Sequence, residues 1–560
     1  MFILSAYADD TTFFLSDLDS VVAVFDTFDR FSKFSGMKIN KSKCELAGIG
    51  IKRSVLTALT GVKNASLLNS SIRVLGVNFT YNTKLFAEKN YVDCIKKIEK
   101  VIRVWGMRFL TLYGKVIIFK SLAFSKVIYI ACMSNPSSDI INLLETIHRD
   151  FIWDKKRPNV KHLTLISDYS DGGLKDVDIP SKFKSLHLSW VNRLFDKNFH
   201  PWKQIPLHFF QRFCNTSNLF CPNLLVPENQ LKNVPVFYRN IINFWQDISK
   251  CPPKNLAMIY SESLCYNCFI KIGNKPISPS FFDVNGPFYV SHLFTDNGSF
   301  IPWELASLKF GLRNHFKWIQ IVNAIPKEWK TVIRNSVHPL TTLFLGQHLN
   351  KWEKVFPLDT ISSKFYYSTL IDILSKKPTS EKYFARHFGP ELKWDKIYSL
   401  PHLVTVDTAT RFFQFKLLHN IMFLNARLYH IGHASDPLCS LCNLENETLV
   451  HFFCECSITV NLWNELKNLF SPVFDLGPLT PLSALFGFFI DNDKYHIIRN
   501  HILLLFKNCI YKNRLETLNV HIIINKIKRT YQIEKNMNSC DIAKLDKKWS
   551  VISPLLQLEL

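Results

Sequence analysis

Long apolar runs are missing from this chain. No uninterrupted apolar stretch reaches the roughly 18 residues that a membrane-spanning helix needs, and runs such as Val127 to Met133 are of core size. The N-terminus also lacks a basic segment followed by an apolar stretch and a small-residue cleavage site, which is the pattern of a secretory signal. We therefore expect no membrane partner, and a location in the cytoplasm and nucleus.

Low-complexity tracts and repeat periods are missing as well. Hydrophobic residues make up 47% of the chain and aromatic residues 14%, with 47 Phe, a composition that excludes a disordered chain. At 560 residues the chain is long for one core, and ordinary domain sizes predict roughly three or four packed units.

The 14 cysteines are not accompanied by a secretory signal. This combination indicates a reducing compartment and free or metal-bound thiols, so no disulfides are expected. Cys265 and Cys268 form a Cys-x2-Cys pair with no obvious matching pair nearby apart from Cys251. Buried thiols are the favoured interpretation of that pair.

Basic residues outnumber acidic ones. The 68 Lys and Arg against 46 Asp and Glu give a net charge of +22, which favours a polyanionic partner through neutralisation of phosphates and release of counterions. Many soluble proteins are basic without binding nucleic acid, so charge permits this interpretation without proving it.

An acidic pair, Asp9-Asp10, lies between two short apolar segments in residues 2–15, FILSAYADDTTFFL. The pattern predicts a β-hairpin with the acids at its tip. Adjacent carboxylates repel each other, and proteins tolerate them where a divalent cation neutralises the charge. The alternative is a polar turn without a metal, which the bare dipeptide favours. The order of the segments that follow, up to SGMKINKSKCE, favours the metal site.

The elements after the turn can be predicted from local signals. A helix should begin after Ser16 or Asp17 as its cap and end before Gly36. Its expected apolar face consists of Val21, Val24, Phe25 and Phe28. Residues 38–47 and 71–79 have the character of strands, and residues 501–515 that of a helix.

Residues 84–135 show helical periodicity, with Tyr91, Ile95, Ile98, Ile102 and Trp105 at spacings of three and four. Between Glu88 and Lys126 there are nine Lys or Arg against three acids, so one helix face can pack while another follows a phosphate backbone. A solvated face without a ligand is the alternative. The stretch from Lys507 to Lys548, with ten basic residues against four acids, is a second candidate surface.

A cysteine and histidine cluster has the spacing C-x2-C-x8-H-x4-C. Its members are Cys439, Cys442, His451 and Cys456. A two-residue gap lets two thiolates reach one ion, and a histidine with a third cysteine completes a tetrahedral Zn²⁺ shell. Cys454 competes with Cys456 for the fourth position. Four reduced residues without a metal are the less favoured interpretation.

These features together resemble the reverse transcriptase of LINE-type (non-LTR) retrotransposons, from the end of its palm to its C-terminus. The family places a YxDD turn on a palm hairpin. The resemblance makes Asp9 and Asp10 Mg²⁺ ligands at a two-metal site, places Tyr7 near the primer end, and makes Lys38 of GMKIN the basic group near the incoming nucleotide. Residues 71–78, with Leu75-Gly76, are similar to the primer grip.

The resemblance continues along the chain. The segment from Trp105 to Gly114, with RFLTLYGKV, resembles the thumb, and the motifs at 151–153 and 171–178 resemble the segment after it. Residues 288–329 are similar to the family's linker. Residues 411–420, RFFQFKLLHN, the cysteine cluster and Trp463 resemble the cysteine-rich zinc domain, in which Cys439, Cys442, His451 and Cys456 are the ligands.

The fold implied by the resemblance is α+β and mostly helical. It consists of a partial palm at 1–80 with its hairpin, a helical thumb at 81–170, a helical linker region at 171–400, a small zinc-binding domain at 401–516 and a basic tail at 517–560. The residues expected to contact nucleic acid in the thumb region are Lys96, Lys97, Lys100, Arg103, Arg108 and Lys115.

The expected function is that of a truncated RNA-directed DNA polymerase. Its partners would be an RNA template, a DNA primer and retroelement RNA, and its cofactors Zn²⁺ and, only with a complete palm, Mg²⁺. The family's third metal-binding carboxylate and its template-positioning Gln-Gly segment precede the YxDD turn, and this chain begins after them, so the active site is expected to be incomplete and the chain inactive alone. The alternative is a non-catalytic, domesticated RNA- or DNA-binding protein that uses the thumb and zinc domain.

Overall fold

A computed structural model describes residues 4–8, 10–48, 54–56, 64–67, 71–80, 82–211, 219–336, 348–351, 354–489, 493–516, 521–537 and 547–557. Helices dominate these residues, and the strands pair only into small two-stranded sheets. The expected α+β, mostly helical fold is confirmed.

The first half of the described chain contains helices at Leu18–Ser35, Thr83–Gly106, Leu112–Ile118, Ser125–Ala131, Ser138–Trp153, His162–Leu165, Ile179–Phe195, Gln204–Phe210, Glu228–Leu231, Val236–Ile248 and Leu256–Ser261. The second half contains helices at Trp303–Phe310, His315–Ala324, Lys327–Asn335, Ser363–Leu374, Ser380–Phe388, Trp394–Val404, Thr408–Leu418, Asn425–His430, Ser457–Phe470, Pro481–Phe486, His496–Lys512, His521–Lys535 and Ser553–Gln557. Two π-helical turns lie at Phe119–Ala123 and His451–Glu455.

The strands of the described residues are β1 (Leu4–Tyr7), β2 (Asp10–Phe13), β3 (Glu45–Gly48), β4 (Asn64–Leu67), β5 (Ile72–Val74), β6 (Val77–Phe79), β7 (Lys271–Ile272), β8 (Lys275–Pro276), β9 (His348–Lys351) and β10 (Lys354–Pro357). β3 and β4 pair in parallel, and the other four pairs, β1 with β2, β5 with β6, β7 with β8 and β9 with β10, are antiparallel.

The predicted N-terminal hairpin is present, with Tyr7 paired to Asp10 across its tip. The helix that follows begins where the sequence indicated, because the Asp17 carboxylate accepts a hydrogen bond of 2.7 Å from the backbone N–H of Ser20. It ends at Gly36, whose φ of 72° is left-handed. The hairpin and the helix cap were therefore predicted correctly.

Two strand predictions were wrong in extent. Residues 71–79 form the hairpin of β5 and β6, because Leu75 and Gly76 have positive φ values of 46° and 80°, as a two-residue turn of type I′ requires. In residues 38–47 a strand begins only at Glu45. The Asn40 side chain accepts a hydrogen bond of 3.1 Å from the Ser42 N–H, and this turn interrupts the extended backbone.

The helical prediction for residues 84–135 is confirmed by three helices and a π-helical turn within that range. Tyr91, Ile95 and Ile98 are buried at the predicted spacing. The Tyr91 hydroxyl donates a hydrogen bond of 2.6 Å to the backbone oxygen of Ser134, so the face of the long helix Thr83–Gly106 that carries these side chains is fixed by packing and by this bond.

The chain forms two compact units. Unit one comprises residues 1–101, 123–145 and 179–370, and unit two comprises residues 102–122, 146–178 and 371–560. The five successive domains expected from the resemblance stay a prediction.

Each unit has its own apolar interior. In unit one, buried side chains gather around Trp245 and, separately, around Phe310. In unit two a large core contains Phe452, Phe453 and Trp549 together with the thiols of Cys439 and Cys456. None of the helices in the described part of the chain is both long enough and apolar enough to cross a membrane.

Candidate metal centre

A closed turn in unit two carries the first two cysteines of the cluster. The backbone N–H of Cys439 donates a hydrogen bond of 2.7 Å to the oxygen of Glu445, and the N–H of Asn443 donates one of 2.9 Å to the oxygen of Cys439. Asn443 has a φ of 54°, a conformation that asparagine tolerates better than most residues. The turn thus holds Cys439 and Cys442 close to one another.

A π-helical turn presents the other two members of the cluster. His451 begins this turn, and its backbone N–H donates a hydrogen bond of 3.1 Å to the hydroxyl of Thr448. Cys456 follows the turn, and its N–H donates a bond of 2.8 Å to the oxygen of His451. The wider π turn therefore brings two residues five positions apart to the same place.

The four side chains meet at distances that suit a tetrahedral zinc ion. One ligand atom from each of Cys439, Cys442, His451 and Cys456 lies within 4.8 Å of all the others. The Sγ atoms of Cys439 and Cys456 are 4.0 Å apart, and Sγ of Cys442 is 3.4 Å from Nε2 of His451. Zn–S bonds of about 2.3 Å and Zn–N bonds of about 2.05 Å at tetrahedral angles imply separations of about 3.8 Å and about 3.6 Å.

The two thiols of the Cys-x2-Cys turn differ in acidity. Burial works against ionisation of Cys442, but backbone N–H groups of Leu444 and Glu445 and contacts with His451 and Cys439 outweigh it and lower its pKa to about 6. Burial raises the pKa of Cys439 to about 12, and the nearby Cys456 adds to that effect. One thiolate forms readily, whereas a second beside it requires a neutralising cation.

Two glutamates support the ligands, and the sequence assigned no role to either. The buried carboxylate of Glu447 accepts hydrogen bonds of 2.5 Å from the N–H of Ser440 and of 3.2 Å from that of Asn425. The carboxylate of Glu445 lies 3.0 Å from Nδ1 of His451, the ring nitrogen that does not face Cys442. An outer carboxylate of this kind orients a metal-binding imidazole. The sequence signal that could have indicated these roles was the presence of two acidic residues between Cys442 and His451.

Cys454 does not take the fourth position. Its thiol donates a hydrogen bond of 3.7 Å to the backbone oxygen of Pro481, and burial raises its pKa to about 12. Cys454 lies within the π turn and Cys456 directly after it, and the two thiols contact different neighbours. The structure thereby decides between two cysteines that spacing had left open.

The residues 411–420 singled out in the sequence pack beside this cluster in unit two. Phe413 contacts the ring of Phe453 edge to face at 6.2 Å, and the Gln414 side chain donates a hydrogen bond of 2.9 Å to the oxygen of Leu485. The indole N–H of Trp463 donates a bond of 2.9 Å to the oxygen of Phe453. These contacts fix the π turn that carries His451.

The predicted polymerase residues lie in unit one. Tyr7, Asp10 and Lys38 are exposed, and Tyr7 and Asp10 face each other across the hairpin tip. Asp9, the other expected Mg²⁺ ligand, lies outside the described residues. Among the residues that are described, Asp10 belongs to no group of three potential metal ligands.

Most of the basic residues expected to contact nucleic acid are exposed. Lys96, Lys97, Lys100 and Arg103 lie on the solvent side of the helix Thr83–Gly106, and the Arg108 guanidinium lies 4.4 Å from the ring centre of Trp105. Lys115 differs from the others.

Lys115 is buried, and its Nζ atom lies 2.5 Å from the Asp154 carboxylate. Its charge is thus already paired within unit two. The number of basic residues in the segment could not distinguish the buried Lys115 from the exposed ones, because its partner Asp154 lies 39 residues further along the chain.

Comparison with protein families gives one match that covers this centre. Residues 391–463 match the family described as zinc-binding in reverse transcriptase, and all four members of the cluster fall within that range. The match and the Cys3His geometry together support a reverse-transcriptase-associated zinc domain with Zn²⁺ as its ion. In these residues the chain is similar to the zinc-binding domains associated with reverse transcriptases.

Proposed function

We propose that this chain is the nucleic-acid-binding C-terminal portion of a LINE-type, non-LTR retrotransposon reverse transcriptase. The observation that carries the proposal is the Cys3His centre, with tetrahedral spacing, inside residues that match a zinc-binding domain of reverse transcriptases. An RNA template, a DNA primer and retroelement RNA are the proposed partners, encountered in the cytoplasm and nucleus.

The exposed basic residues of the helix Thr83–Gly106 support this proposal. Lys96, Lys97 and Lys100 are solvent-exposed on a helix whose opposite face is buried through Tyr91 and Ile98. Side chains that packing does not use are available to phosphates, and each phosphate they neutralise releases counterions. The proposed role of this helix is to follow a template-primer duplex.

Polymerisation is proposed to require a third metal-binding carboxylate beside Asp9 and Asp10. A two-metal phosphoryl-transfer site needs carboxylates arranged around both ions, and in the proposed family Asp9 and Asp10 share this task with a carboxylate from a preceding strand. With a complete palm, Asp9 and Asp10 would hold Mg²⁺, Tyr7 would lie near the primer end, and Lys38 near the incoming nucleotide. The isolated chain is proposed to be inactive as a polymerase.

A non-catalytic, domesticated RNA- or DNA-binding protein is the second candidate. It is favoured by one observation: the zinc centre of the described residues is complete in itself and takes no ligand from the hairpin that carries Asp10. Both candidates predict nucleic-acid binding, and they differ in whether added palm residues restore DNA synthesis.

Two measurements test these proposals. Fluorescence anisotropy with a labelled RNA hairpin should show binding by the zinc-loaded chain, weaker binding after zinc removal by a chelator, and recovery when zinc is restored. Primer extension by the same chain with Mg²⁺ should not exceed that of the Asp9→Asn variant. Absence of RNA binding would overturn the first proposal, and extension above the Asp9→Asn level would overturn the proposed inactivity.

A further inference from the structure

A second group of metal-binding side chains lies in unit two, outside the residues that match the zinc domain. His148 is on the helix Ser138–Trp153, His162 begins the helix His162–Leu165, and Asp176 precedes the helix Ile179–Phe195. One ligand atom from each lies within 4.8 Å of the other two. Three side chains from different segments of the chain therefore lie close together.

The backbone around Gly172-Gly173 brings Asp176 to this point. A Cβ atom on Gly173 would lie 2.1 Å from the backbone oxygen of Ser167, so only glycine permits this close approach. After the glycines the chain returns along residues 165–167, where the N–H of Leu174 and that of Asp176 both donate hydrogen bonds to the oxygen of Leu165, at 2.8 Å and 3.1 Å. The carboxylate position is therefore set by the backbone.

The distances within the group suit a metal ion. Nε2 of His148 lies 3.0 Å from Oδ1 of Asp176, and Nδ1 of His162 lies 3.9 Å from Oδ2 of the same carboxylate. A tetrahedral zinc ion with bonds of about 2.1 Å to nitrogen and oxygen separates its ligand atoms by about 3.4 Å. The two measured distances end on different oxygens of Asp176, and this value lies between them. Small adjustments of the two rings would equalise the distances.

The surroundings are those of a site with limited access to solvent. The side chains of His148 and Asp176 are buried, whereas that of His162 is 41% exposed, so an ion can enter from the His162 side. Nε2 of His162, the nitrogen directed away from Asp176, lies 3.4 Å from Oδ1 of Asp178. This second carboxylate holds the ring in the way that outer carboxylates hold metal-binding histidines.

We infer that His148, His162 and Asp176 bind a second divalent transition-metal ion, of which Zn²⁺ fits best, with Asp178 positioning His162. Two imidazoles and a carboxylate suit zinc better than Mg²⁺ or Ca²⁺, which prefer oxygen ligands throughout. Three protein ligands leave a fourth position for water. The ion would join the helix Ser138–Trp153 to the glycine-containing segment, and this inference does not depend on the proposed function.

Metal analysis of the purified full chain tests the inference. After gel filtration in metal-free buffer, wild type should contain about two Zn²⁺ per chain, one for each ligand group. His162→Ala should retain about one, and Cys442→Ser should also retain about one. His387→Ala is the matched control, because it removes an exposed histidine outside both groups and should leave the metal content of wild type.

Cobalt substitution separates the two sites by their ligands. Co²⁺ bound to thiolates absorbs strongly in the near ultraviolet through sulfur-to-metal charge transfer, whereas Co²⁺ bound to imidazole and carboxylate does not. In Cys442→Ser the expected spectrum shows visible bands alone, and these bands should disappear when His162→Ala is added. Asp178→Asn should keep the stoichiometry but weaken Co²⁺ binding about 10- to 100-fold.

One result would overturn the inference. If wild type holds a single Zn²⁺ that Cys442→Ser removes, and His162→Ala leaves the metal content unchanged, then His148, His162 and Asp176 form only a hydrogen-bonded polar cluster. Because His162 is partly exposed, circular dichroism of His162→Ala should match wild type, so that a loss of metal cannot be attributed to unfolding.

Discussion

Glu445 and Cys442 contact opposite nitrogens of the same imidazole, that of His451. The Glu445 carboxylate lies 3.0 Å from Nδ1, and Sγ of Cys442 lies 3.4 Å from Nε2. A carboxylate beside one ring nitrogen keeps the proton there and leaves the lone pair of the other for a metal. Glu445, which is not itself a ligand, is therefore placed to favour the tautomer of His451 that binds a metal through Nε2.

Replacing Glu445 by Gln should weaken zinc binding without abolishing it. The amide keeps the size of the side chain but removes the charge that stabilises the Nδ1 proton, and loss of such an outer contact lowers metal affinity about 10- to 100-fold. Competition with a chromophoric chelator measures the change. Glu455→Gln is the control, since it removes the same charge from an exposed position next to Cys456. Equal affinities in the two variants would contradict the role given to Glu445.

Glu447 should matter for stability more than for zinc affinity. Its buried carboxylate accepts hydrogen bonds from the N–H groups of Ser440 and Asn425, and each bond to a charged group contributes about 1.5 to 3 kcal/mol. Glu447→Ala leaves both donors unsatisfied, so the melting temperature of the zinc-loaded chain should fall clearly. Glu455→Ala, at an exposed position, should change it little. Equal melting temperatures for the two variants would count against this prediction.

Much of the zinc centre could be predicted from spacing, because the geometry of a Cys-x2-Cys pair is local. The choice between Cys454 and Cys456 could not, since it depends on a π turn that leaves one thiol at Pro481 and brings the other to Cys439. The role of Glu447 could not be predicted from the sequence either. Its hydrogen-bond donors are backbone N–H groups, which every residue except proline possesses.

In the rest of the fold, too, features set by neighbouring residues could be predicted, whereas those set by distant residues could not. The Asp17 cap and Gly36 end are local signals, and both were predicted correctly. The ion pair of Lys115 could not be predicted, because its partner, Asp154, lies 39 residues further along the chain. Residues 71–79 form a hairpin and not the single predicted strand, and Gly76 is a local signal of its turn.

Gly173→Ala should destabilise unit two strongly. The added Cβ would lie 2.1 Å from the Ser167 oxygen, which forces the backbone apart and breaks the hydrogen bonds that follow. The free energy of unfolding should fall by more than about 3 kcal/mol, as is typical of substitutions that strain the backbone or overpack the interior. Gly106→Ala provides the control, because a Cβ there meets nothing within 4 Å. Thermal unfolding of the two variants measures the difference, and similar melting temperatures would contradict the close approach.

Glu262 should make the stability of unit one depend on pH. Its carboxyl is fully buried, and burial raises its pKa from 4.5 to about 8, although hydrogen bonds from Asn223 and Asn267 act in the opposite direction. Between these two values the folded chain keeps a proton that the unfolded chain has released. Stability is therefore greatest below about pH 4.5 and declines as pH rises toward about 8, by up to about 1.4 kcal/mol per pH unit.

Glu262→Gln isolates this contribution, because glutamine cannot ionise and its oxygen can still accept from Asn223 or Asn267. The melting temperature of the variant relative to wild type should rise steadily between about pH 5 and about pH 8. Glu228→Gln, at a site where the side chain is exposed, should show no such trend. A constant difference for Glu262→Gln across this range would mean that the buried carboxyl does not titrate there.

The exposed basic residues should determine how RNA and DNA binding responds to salt. Each phosphate contact contributes about 0.9 to the slope of log affinity against log salt for duplex DNA and about 0.7 for single strands. Combined Lys97→Ala, Lys100→Ala and Arg103→Ala substitutions remove three exposed charges from the helix Thr83–Gly106, so the slope should fall by about 2 to 3 for a duplex ligand.

The matched control removes three exposed lysines of unit one that lie outside this helix, through Lys232→Ala, Lys250→Ala and Lys275→Ala. This variant has the same net charge as the helix variant, so a smaller slope in the helix variant alone would locate the contacts on the helix. Lys115→Ala should behave differently from both. Its side chain is buried against Asp154, so its loss should lower the melting temperature and leave the slope nearly unchanged. Equal slopes in the helix variant and the control would instead assign nucleic-acid binding to another surface.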